Sequence, residues 1–285
     1  MKTKVKGKQN EIDWPAFQSV ICLKYKWCTG AIVMDIDSRK DGILELLASN
    51  GKVRVTELSE RFGVSEVTIR MDLADLEEKG LLARVHGGAI SSYKTYYNMS
   101  LQQRLGANHE KKIAIAQHAA GMIEDHDTVM FNSGTTTLLT FRMLNPNLNL
   151  SIVTNSIAIA LEAGANPNFN VVLLGGDVNA KYQFTCGSDA AEQIRRYHAD
   201  KLVLSVDGVD VANGFSTYYD KEVDIDRRML ENSSLHIIAA DYTKIGRTTF
   251  AKVSDISVAD YIITNRNASE EDKSILRDFA KIIEV

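Results

Sequence analysis

The sequence predicts an α/β protein with two parts: a small N-terminal unit of helices with one β-hairpin, and a larger C-terminal domain with a parallel sheet. Two observations support this prediction. Residues 39–90 contain three short amphipathic helical patterns, followed by two apolar segments that a glycine turn joins. Beyond about position 107, short apolar runs alternate with helical stretches, which is typical of strands buried on both faces of a parallel sheet.

Length and composition fit two globular domains and exclude several other classes of protein. The chain has 285 residues, of which 45% are hydrophobic and 25% charged, so a disordered chain is excluded. No apolar run approaches the roughly 18 residues that a membrane span requires, and we expect no contact with a membrane. The three cysteines form no Cys-x-x-Cys pair and no histidine stands at ligand spacing. We therefore expect a cytoplasmic protein without disulfides, metal or cofactor.

Charge is distributed unevenly along the chain. Residues 1–34 carry six lysines against two acidic residues, whereas 35–95 carry nine basic residues against eleven acidic ones. Because the helical unit is not basic overall, any binding of nucleic acid must depend on a few local side chains rather than on bulk charge.

Residues 1–34 show no helical or strand period and are predicted to form an N-terminal extension. Met34 directly precedes the first periodic segment, and two interpretations stay open: the extension belongs to the native protein, or the protein starts at Met34. The polar stretch 91–98 is predicted to be a linker. We place the N-terminal domain at 36–91 and the C-terminal domain at 107–285, and expect the stretch between them to couple the two.

The N-terminal domain has the pattern of a helix-turn-helix with a wing. A first helix is predicted over 39–50 and a second over 56–62, with Thr56 as its N-cap. After a glycine turn, Ser65 is predicted to cap a third helix over 66–79, whose apolar residues stand at i, i+4 and i+7. This apolar stripe would face the core and leave the opposite side of the third helix exposed.

Seven residues of this domain are candidates for contact with DNA. They stand at helix N-termini, where backbone N–H groups can meet a phosphate, on the outer side of the third helix, or at the hairpin. These residues are Thr56, Ser65, Thr68, Arg70, Met71, Arg84 and His86. Two alternatives stay open at this point: a small helical bundle with solvated charges, and a module that binds protein without touching DNA.

The C-terminal domain contains a hydroxyl-rich turn with the chemistry of a phosphate site. The turn spans 132–137, with the sequence Asn-Ser-Gly-Thr-Thr-Thr, between a predicted strand and a helix. A helix N-terminus supplies N–H donors and positive potential, and the glycine lets a ligand approach the backbone closely. The turn is not a P-loop, because no Gly-Lys-Ser/Thr follows it. Ordinary helix capping by these hydroxyls is the alternative.

Further polar turns follow the other predicted strands. The predicted strands are 128–132, 150–154, 170–174, 201–207, 235–240 and 261–264. Because the C-termini of strands in an open parallel sheet converge on one crevice, we expect these turns to share a site. They would supply hydroxyls and amides for a phosphate, a lysine for its charge and carboxylates for sugar hydroxyls. The predicted binding residues are Ser133, Gly134, Thr135, Thr136, Thr137, Asn155, Ser156, Gly175, Gly176, Asp207, Asp210 and Lys244.

The segment 53–73, with Thr-Ile-Arg-Met-Asp-Leu at its end, and the His-Gly-Gly-Ala at 86–89 resemble the DeoR family of bacterial transcriptional regulators. The resemblance covers about 35–285. One departure is Met71, where the family usually has a second arginine. The resemblance implies a winged helix-turn-helix that binds double-stranded operator DNA. It also implies an effector domain that is similar to ribose-5-phosphate isomerase and binds a phosphorylated sugar.

The function implied by this resemblance is that of a homo-oligomeric repressor of a carbohydrate-utilisation operon. Its binding to the operator would be modulated by the phosphorylated sugar. Glu222 matches a glutamate that the family retains, and we add it to the expected site as a sugar or structural contact.

A sugar-phosphate isomerase-like enzyme with an accessory winged-helix domain is the alternative. The Asp-Gly-Val-Asp at 207–210 looks like the isomerase motif, in which carboxylates and a lysine transfer a proton. In the isomerases that motif leads into a lysine followed by a glycine-rich turn, and no such turn follows here. Lys221 stands in an acidic, helical stretch, which is typical of a solvated partner of its neighbours. We therefore expect no enzymatic activity. A turnover assay on pentose phosphates distinguishes a regulator from an isomerase-like enzyme.

Overall fold

The computed structural model describes residues 36–78, 81–90 and 99–285. The predicted extension at 1–34, the end of the predicted third helix at position 79 and the predicted linker at 91–98 lie outside the described residues. In the described part, a winged helix-turn-helix precedes an α/β domain with a parallel sheet. No helix in these described ranges is both long enough and apolar enough to cross a bilayer.

The described part of the N-terminal domain comprises three helices and a three-stranded antiparallel sheet. The elements are α1 (Ile36–Asn50), β1 (Lys52–Arg54), α2 (Val55–Phe62), α3 (Glu66–Glu78), β2 (Ala83–Val85) and β3 (Gly88–Ile90). β3 is the central strand, between β1 and β2. The apolar stripe of α3 is buried as predicted, since Ile69, Leu73 and Leu76 are at most 2% exposed. They pack with Leu47 of α1 and Leu58 of α2 in one core.

One predicted cap is wrong, and the other is confirmed. Helix α2 begins at Val55 and its N-cap is Arg54, whose side chain makes no capping hydrogen bond, so Thr56 is not the cap. The reason is strand β1, which pairs with β3 and leads the chain directly into α2. Ser65 does cap α3, because its Oγ accepts a hydrogen bond from the N–H of Thr68 at 3.1 Å.

A buried ion pair joins α1 to α3. Arg39 donates from Nε to Oδ2 of Asp72 at 2.6 Å and from Nη2 to Oδ1 at 3.1 Å, so the pair is bidentate. Both residues are at most 6% exposed. A second pair on the same two helices, between Lys40 and Asp75 at 2.6 Å, is more exposed to solvent. The buried pair therefore fixes the position of α3 against α1.

The C-terminal domain alternates strands and helices along the chain. Its helices are α4 (Leu101–Gly106), α5 (His109–Ala120), α6 (Thr135–Arg142), α7 (Ile157–Ala163), α8 (Ser188–Ile194), α9 (Asp220–Glu231) and α10 (Glu270–Leu276). Its strands are β4 (Thr128–Phe131), β5 (Leu150–Thr154), β6 (Phe169–Leu173), β7 (Asp177–Asn179), β8 (Phe184–Cys186), β9 (Ala199–Leu204), β10 (Gly208–Asp210), β11 (Gly214–Thr217), β12 (Ser233–Ala239), β13 (Ala251–Ser254), β14 (Tyr261–Thr264) and β15 (Lys281–Glu284).

Seven of these strands form one parallel sheet, in the order β15-β14-β12-β9-β4-β5-β6. Strands β5 and β14 have the predicted bounds, and β4, β6, β9 and β12 differ from the prediction by one to three residues at an end. Two smaller antiparallel sheets, β10-β11-β13 and β7-β8, are added to the domain. Their short strands and β15 have no counterpart in the sequence prediction.

Adjacent residues of the central strands enter two different cores. Met130 of β4 packs in the core on one face of the sheet, whereas Val129 and Phe131 pack in the other. In β9, Leu202 packs in the same core as Met130, and Val203 packs in the same core as Val129 and Phe131. Because both faces are covered, these strands are continuous apolar runs in the sequence.

The strand order reverses beside β4. From β4 the chain adds β5 and β6 on one side, and then returns to add β9, β12, β14 and β15 on the other. Such a reversal leaves a crevice at the C-terminal ends of the two strands that flank it, here β4 and β9. The turns after β5 and β6 lie on the far side of β4.

Replacing Asp72 tests the ion pair between α1 and α3. Asp72→Ala removes the carboxylate that accepts two hydrogen bonds from the buried guanidinium of Arg39, and should lower the free energy of unfolding of the N-terminal domain by about 3–5 kcal/mol. Asp75→Ala is the matched control on the same helix, where a more exposed pair should cost about 1 kcal/mol or less. Urea unfolding followed by circular dichroism measures both. Equal losses in the two variants would contradict the role of the buried pair.

Candidate DNA-contact surface and ligand crevice

The outer side of α3 presents a mixed apolar and basic surface. Val67 and Met71, one turn apart, are 63% and 69% exposed, and Arg70 lies in solvent beside them. Arg70 donates to the carboxylate of Glu66 at 2.6 Å, an exposed pair of small net strength. Apolar side chains suit the methyl group of thymine and arginine suits guanine, so this surface can read bases in a major groove. Val67 is absent from the predicted set of DNA-contact residues. Its position four residues before Met71 places it on the same side of α3, so the helical period could have indicated it.

The other predicted DNA residues lie around α3. Thr56 is exposed in the first turn of α2, and Ser65 is exposed at the start of α3, with its hydroxyl 2.9 Å from that of Thr68. Arg84 and His86 are exposed on the hairpin of β2 and β3. The N–H of Arg84 donates to a glutamate of α3 at 2.8 Å, which fixes the hairpin against that helix. None of these residues is buried, and their contact with DNA stays a prediction.

A crevice opens at the C-terminal ends of β4, β9 and β12, where the strand order reverses. The space within its outline, including the open mouth, is about 220 Å³. Its lining residues are Arg104, Thr135, Thr136, Ser205, Val206, Asp207, Ala239, Asp241 and Lys244. The structure therefore brings four of the predicted binding residues together: Thr135, Thr136, Asp207 and Lys244.

The N-terminus of α6 forms one side of the crevice. Its N-cap is Gly134, which offers no side-chain hydrogen bond to the first N–H groups of the helix. A side chain is excluded at this position, because an added Cβ would lie 1.7 Å from Oγ of Ser205. The hydroxyl of Thr137 donates to the carbonyls of Asn132 and Gly134 at 2.9 and 2.6 Å, so it stabilises the turn from within.

Asp207 holds two cations near it in the crevice. Its Oδ1 lies 3.6 Å from Nη2 of Arg104 and 3.7 Å from Nζ of Lys244, at ion-pair rather than hydrogen-bond distance. Its Oδ2 accepts a hydrogen bond from the N–H of Tyr218 at 3.1 Å. Burial opposes ionisation of this carboxyl group, but Lys244, Arg104 and the backbone N–H outweigh burial and lower its pKa below the ordinary value. The crevice thus contains a charged carboxylate with two cations.

The hydroxyl of Thr217 lies 3.3 Å from Asp207 and also 3.3 Å from a second carboxyl group, that of Glu222. Glu222 also accepts a short hydrogen bond from the hydroxyl of Ser133. Burial, reinforced by the charge of Asp207 and opposed by the serine hydroxyl, raises the pKa of Glu222 to about 7. Burial and the charge of Glu222 likewise raise the pKa of Asp226, which accepts a hydrogen bond from an asparagine of the turn after β4.

Several predicted binding residues do not line the crevice. Those of the turns after β5 and β6 lie beyond the reversal of strand order: Asn155, Ser156, Gly175 and Gly176. Ser156 caps α7 by accepting from the N–H of Ile159 at 3.2 Å, and Asn155 donates to the carbonyl of Thr185 at 3.2 Å. The carboxylate of Asp210 accepts three hydrogen bonds within the turn between β10 and β11. A ligand contact by these residues stays a prediction.

Five of the lining residues are missing from the predicted set: the polar Arg104, Ser205 and Asp241, and the apolar Val206 and Ala239. Ser205 follows β9 directly and Asp241 comes two residues after the end of β12, so the strand-end pattern that indicates Asp207 and Lys244 indicates them as well. Arg104 lies on α4, before the first strand of the sheet, and no local pattern marks it. Across the described ranges, no three His, Cys, Asp or Glu side chains are placed to hold a metal ion.

The raised pKa of Glu222 predicts a pH-dependent stability. The group loses its proton near pH 4.5 in the unfolded chain but near pH 7 in the folded one, so the free energy of unfolding should fall as pH rises through this window and then level off. Glu222→Gln should flatten this dependence, by up to about 3 kcal/mol. Urea unfolding between about pH 5 and pH 8 measures this pH dependence of the free energy of unfolding. Glu231→Gln, on the exposed end of α9, is the control. Identical curves for wild type and Glu222→Gln would rule out a protonated Glu222.

The chain matches two family models. Residues 39–95 match the DeoR-like helix-turn-helix domain, and residues 107–266 match the DeoR C-terminal sensor domain. The chain is 30% identical over 247 residues to the putative aga operon transcriptional repressor of Escherichia coli O157:H7, covering 86% of this chain and 92% of that protein. It is 31% identical over 227 residues to the glycerol-3-phosphate regulon repressor of Escherichia coli K12, covering 80% and 90%.

Two solved structures show a weaker similarity. The full-length sorbitol operon regulator SorC from Klebsiella pneumoniae is 15% identical, with a TM-score of 0.40, over 85% of this chain and 99% of that one. Ribose 5-phosphate isomerase A from Methanocaldococcus jannaschii is 16% identical, with a TM-score of 0.33, over 46% and 52%. TM-scores this low do not establish a shared fold. On the strength of both family models and the relatives above, the chain belongs to the DeoR family of helix-turn-helix transcriptional regulators, with a C-terminal sensor domain.

Proposed function

We propose that this chain is a repressor of a carbohydrate-utilisation operon, and that a phosphorylated sugar bound in the crevice alters its affinity for operator DNA. One observation carries the proposal. The N-terminus of α6 and two cations, Arg104 and Lys244, meet in one crevice at the reversal of strand order. A helix N-terminus and cationic side chains are what a phosphate requires, and carboxylates accept hydrogen bonds from sugar hydroxyls.

The distribution of charge in the crevice indicates how a sugar phosphate would lie. Its phosphate would lie against Thr135 and Thr136 at the start of α6, within reach of Lys244. Its hydroxyls would donate to the carboxylates of Asp207 and Asp241. A sugar without a phosphate would bring no negative charge to Arg104 and Lys244, so we expect phosphorylation to be required for tight binding.

The N-terminal domain would bind the operator with α3 in the major groove. Because the domain is slightly acidic overall, the contact would depend on the exposed Arg70, Arg84 and His86 rather than on bulk charge. In a homo-oligomer, two copies of α3 would lie on two half-sites of the operator. A ligand changes operator affinity only if it binds two arrangements of the protein with different affinity.

The names of the relatives support a regulator without catalytic activity. One is the repressor of a glycerol-3-phosphate regulon, and another is a putative repressor of the aga operon. Both names describe repressors rather than enzymes, and the first refers to a phosphorylated polyol. A small phosphorylated carbohydrate is therefore the ligand class that we propose for this chain.

A sugar-phosphate isomerase-like activity is the second candidate function, and one observation favours it. Glu222, with a pKa raised to about 7, would suit a general base at neutral pH. Against this activity, Lys221 is exposed and Glu222 does not line the crevice. Incubation with pentose phosphates, followed by chromatography of the aldose and ketose forms, decides between the two, since turnover above the buffer blank would establish an enzyme.

Replacing Arg70 tests the DNA contact. Arg70→Ala should weaken binding to a duplex that the wild-type chain selects from a random library by about 1–3 kcal/mol, or roughly five- to 150-fold. Arg195→Ala is the matched control, because Arg195 is similarly exposed and pairs with a glutamate of α8, the helix that it caps, but lies in the sensor domain. Fluorescence anisotropy measures the affinities. Unchanged affinity in a folded Arg70→Ala variant would exclude a base contact.

Replacing Thr135 tests the phosphate site. Thr135→Glu places a carboxylate at the start of α6 and should abolish binding of sugar phosphates by repulsion, a loss of about a hundredfold or more, while DNA binding without ligand is retained. Thr135→Gln, of similar size but uncharged, separates the effect of charge from that of bulk and should bind more tightly than Thr135→Glu. Isothermal calorimetry with a panel of aldose and ketose phosphates measures the affinities. Equal affinities of Thr135→Glu and wild type would refute the assignment.

A further inference from the structure

The short helix α4 contacts both the ligand crevice and the winged domain. Its Arg104 lines the crevice, whose other lining residues come from the start of α6, the turn after β9, the end of β12 and the turn after it. The preceding residue, Gln103, donates from Nε2 to Oδ1 of Asp41 in α1 at 3.4 Å. Gly106 lies against Glu45 of α1, because a Cβ added to the glycine would come within 2.5 Å of Oε1. Neighbouring positions of one helix thus face the ligand site and α1.

Helix α4 also packs on the sensor domain. Leu101 and Leu105 are buried in one of the two cores of the parallel sheet. The ammonium group of Lys112, which is 1% exposed, donates to the carbonyl of Arg104 at 2.5 Å and to that of Ala107 at 2.7 Å. A capping box closes the N-terminal end of the helix. Because the capping box and Lys112 hold the backbone of α4 together, we expect a displacement at Arg104 to move the helix as a unit.

Arg104 is placed to exchange one anionic partner for another. Its guanidinium lies 3.6 Å from Oδ1 of Asp207, which is longer than a hydrogen bond, and 5.3 Å from the ring centre of Tyr182. Asp207 also has Lys244 at 3.7 Å, so it keeps a cation when Arg104 turns to a ligand. A phosphate in the crevice would offer the guanidinium two oxygens in the planar geometry that suits its paired donors.

We propose that Arg104 binds the phosphate of the ligand and that α4 transmits occupancy of the crevice to α1 of the winged domain. This inference rests on the proposed function, because it requires an anionic ligand in the crevice. Formation of the bidentate contact draws Arg104 towards the ligand, α4 follows, and its contacts with Asp41 and Glu45 displace α1. The buried ion pair between α1 and α3 then carries the displacement to the helix that presents the DNA-contact residues.

The experiment measures ligand affinity and the response of α1 in the full chain. The probe is the aldose or ketose phosphate that binds the wild-type chain most tightly in the calorimetric panel, and inorganic phosphate and the unphosphorylated sugar form separate arms. Hydrogen–deuterium exchange of peptides from α1, with and without the probe at saturation, reports the transmission. Circular dichroism of each variant checks its fold.

We expect the wild-type chain to bind the probe with a change in the exchange of α1. Arg104→Gln should bind at least about tenfold more weakly and show no change in α1 even when the crevice is filled. Arg104→Lys, which keeps the charge but not the paired donors, should bind with intermediate affinity. Asp41→Ala should bind within about twofold of wild type but lose most of the change in α1. Arg142→Gln breaks an exposed pair with Glu162 elsewhere in the domain. It should match wild type both in its affinity for the probe and in the change in exchange of α1.

Each part of the proposal has an outcome that overturns it. Binding of Arg104→Gln within about twofold of wild type would overturn the phosphate contact, and an α1 that does not respond to bound probe in the wild-type chain would overturn the transmission. If Arg104→Gln does not fold, Arg104→Lys is judged by the same criterion. Inorganic phosphate that reproduces both effects would support the Arg104 contact and refute the sugar as ligand.

The same measurements separate this inference from the proposed function. If no phosphorylated sugar binds the wild-type chain, the proposed function fails and this inference fails with it. If one binds and the Arg104 variants bind it equally well, only this inference fails.

Discussion

The reversal of strand order beside β4 is the constraint on which the ligand crevice depends. Because β5 and β6 lie on one side of β4 and the later strands on the other, the chain leaves β4 over one face of the sheet and β9 over the opposite face. The two turns meet so closely that Gly134 has no room for a side chain beside Ser205. A helix N-terminus rich in hydroxyls thereby lies next to a carboxylate and two cations.

Buried charges serve different purposes in the two domains. The bidentate pair of Arg39 and Asp72 is satisfied by hydrogen bonds in fixed geometry, which gives rigidity between two helices. Around Asp207, in contrast, two cations lie beyond hydrogen-bond distance, and neither is committed to the carboxylate by a directed bond. The neutral state of Glu222 below about pH 7 avoids a second negative charge nearby. The first arrangement suits a scaffold and the second suits exchange of partners.

Features that depend on local periodicity could be predicted from the sequence. The bounds of β5 and β14 and the buried stripe of α3 follow from apolar runs and helical spacing, which tertiary contacts do not override here. Three-residue strands such as β1 and β10 could not be predicted, because their partners define them. Asn155 and Gly175 do not line the crevice, although both follow predicted strands. The sequence indicates where a strand ends but not the order of strands in the sheet, so it cannot distinguish the strand ends at the crevice from the others. Arg104 joins the site only through tertiary structure.

The crevice joins parts of the chain that are far apart in sequence, and this has a consequence for how the protein comes into being. Arg104 meets Asp207 across about 100 residues, and Thr135 lines the same crevice as Lys244 across a similar stretch. During synthesis the hydroxyl-rich turn emerges long before Lys244, so a nascent domain has no site until β12 has been made and paired with β9. A ligand that binds only the finished fold adds about 2.7 kcal/mol of stability at a hundredfold excess over its Kd. The supply of such a ligand would therefore affect how long a newly made chain stays folded.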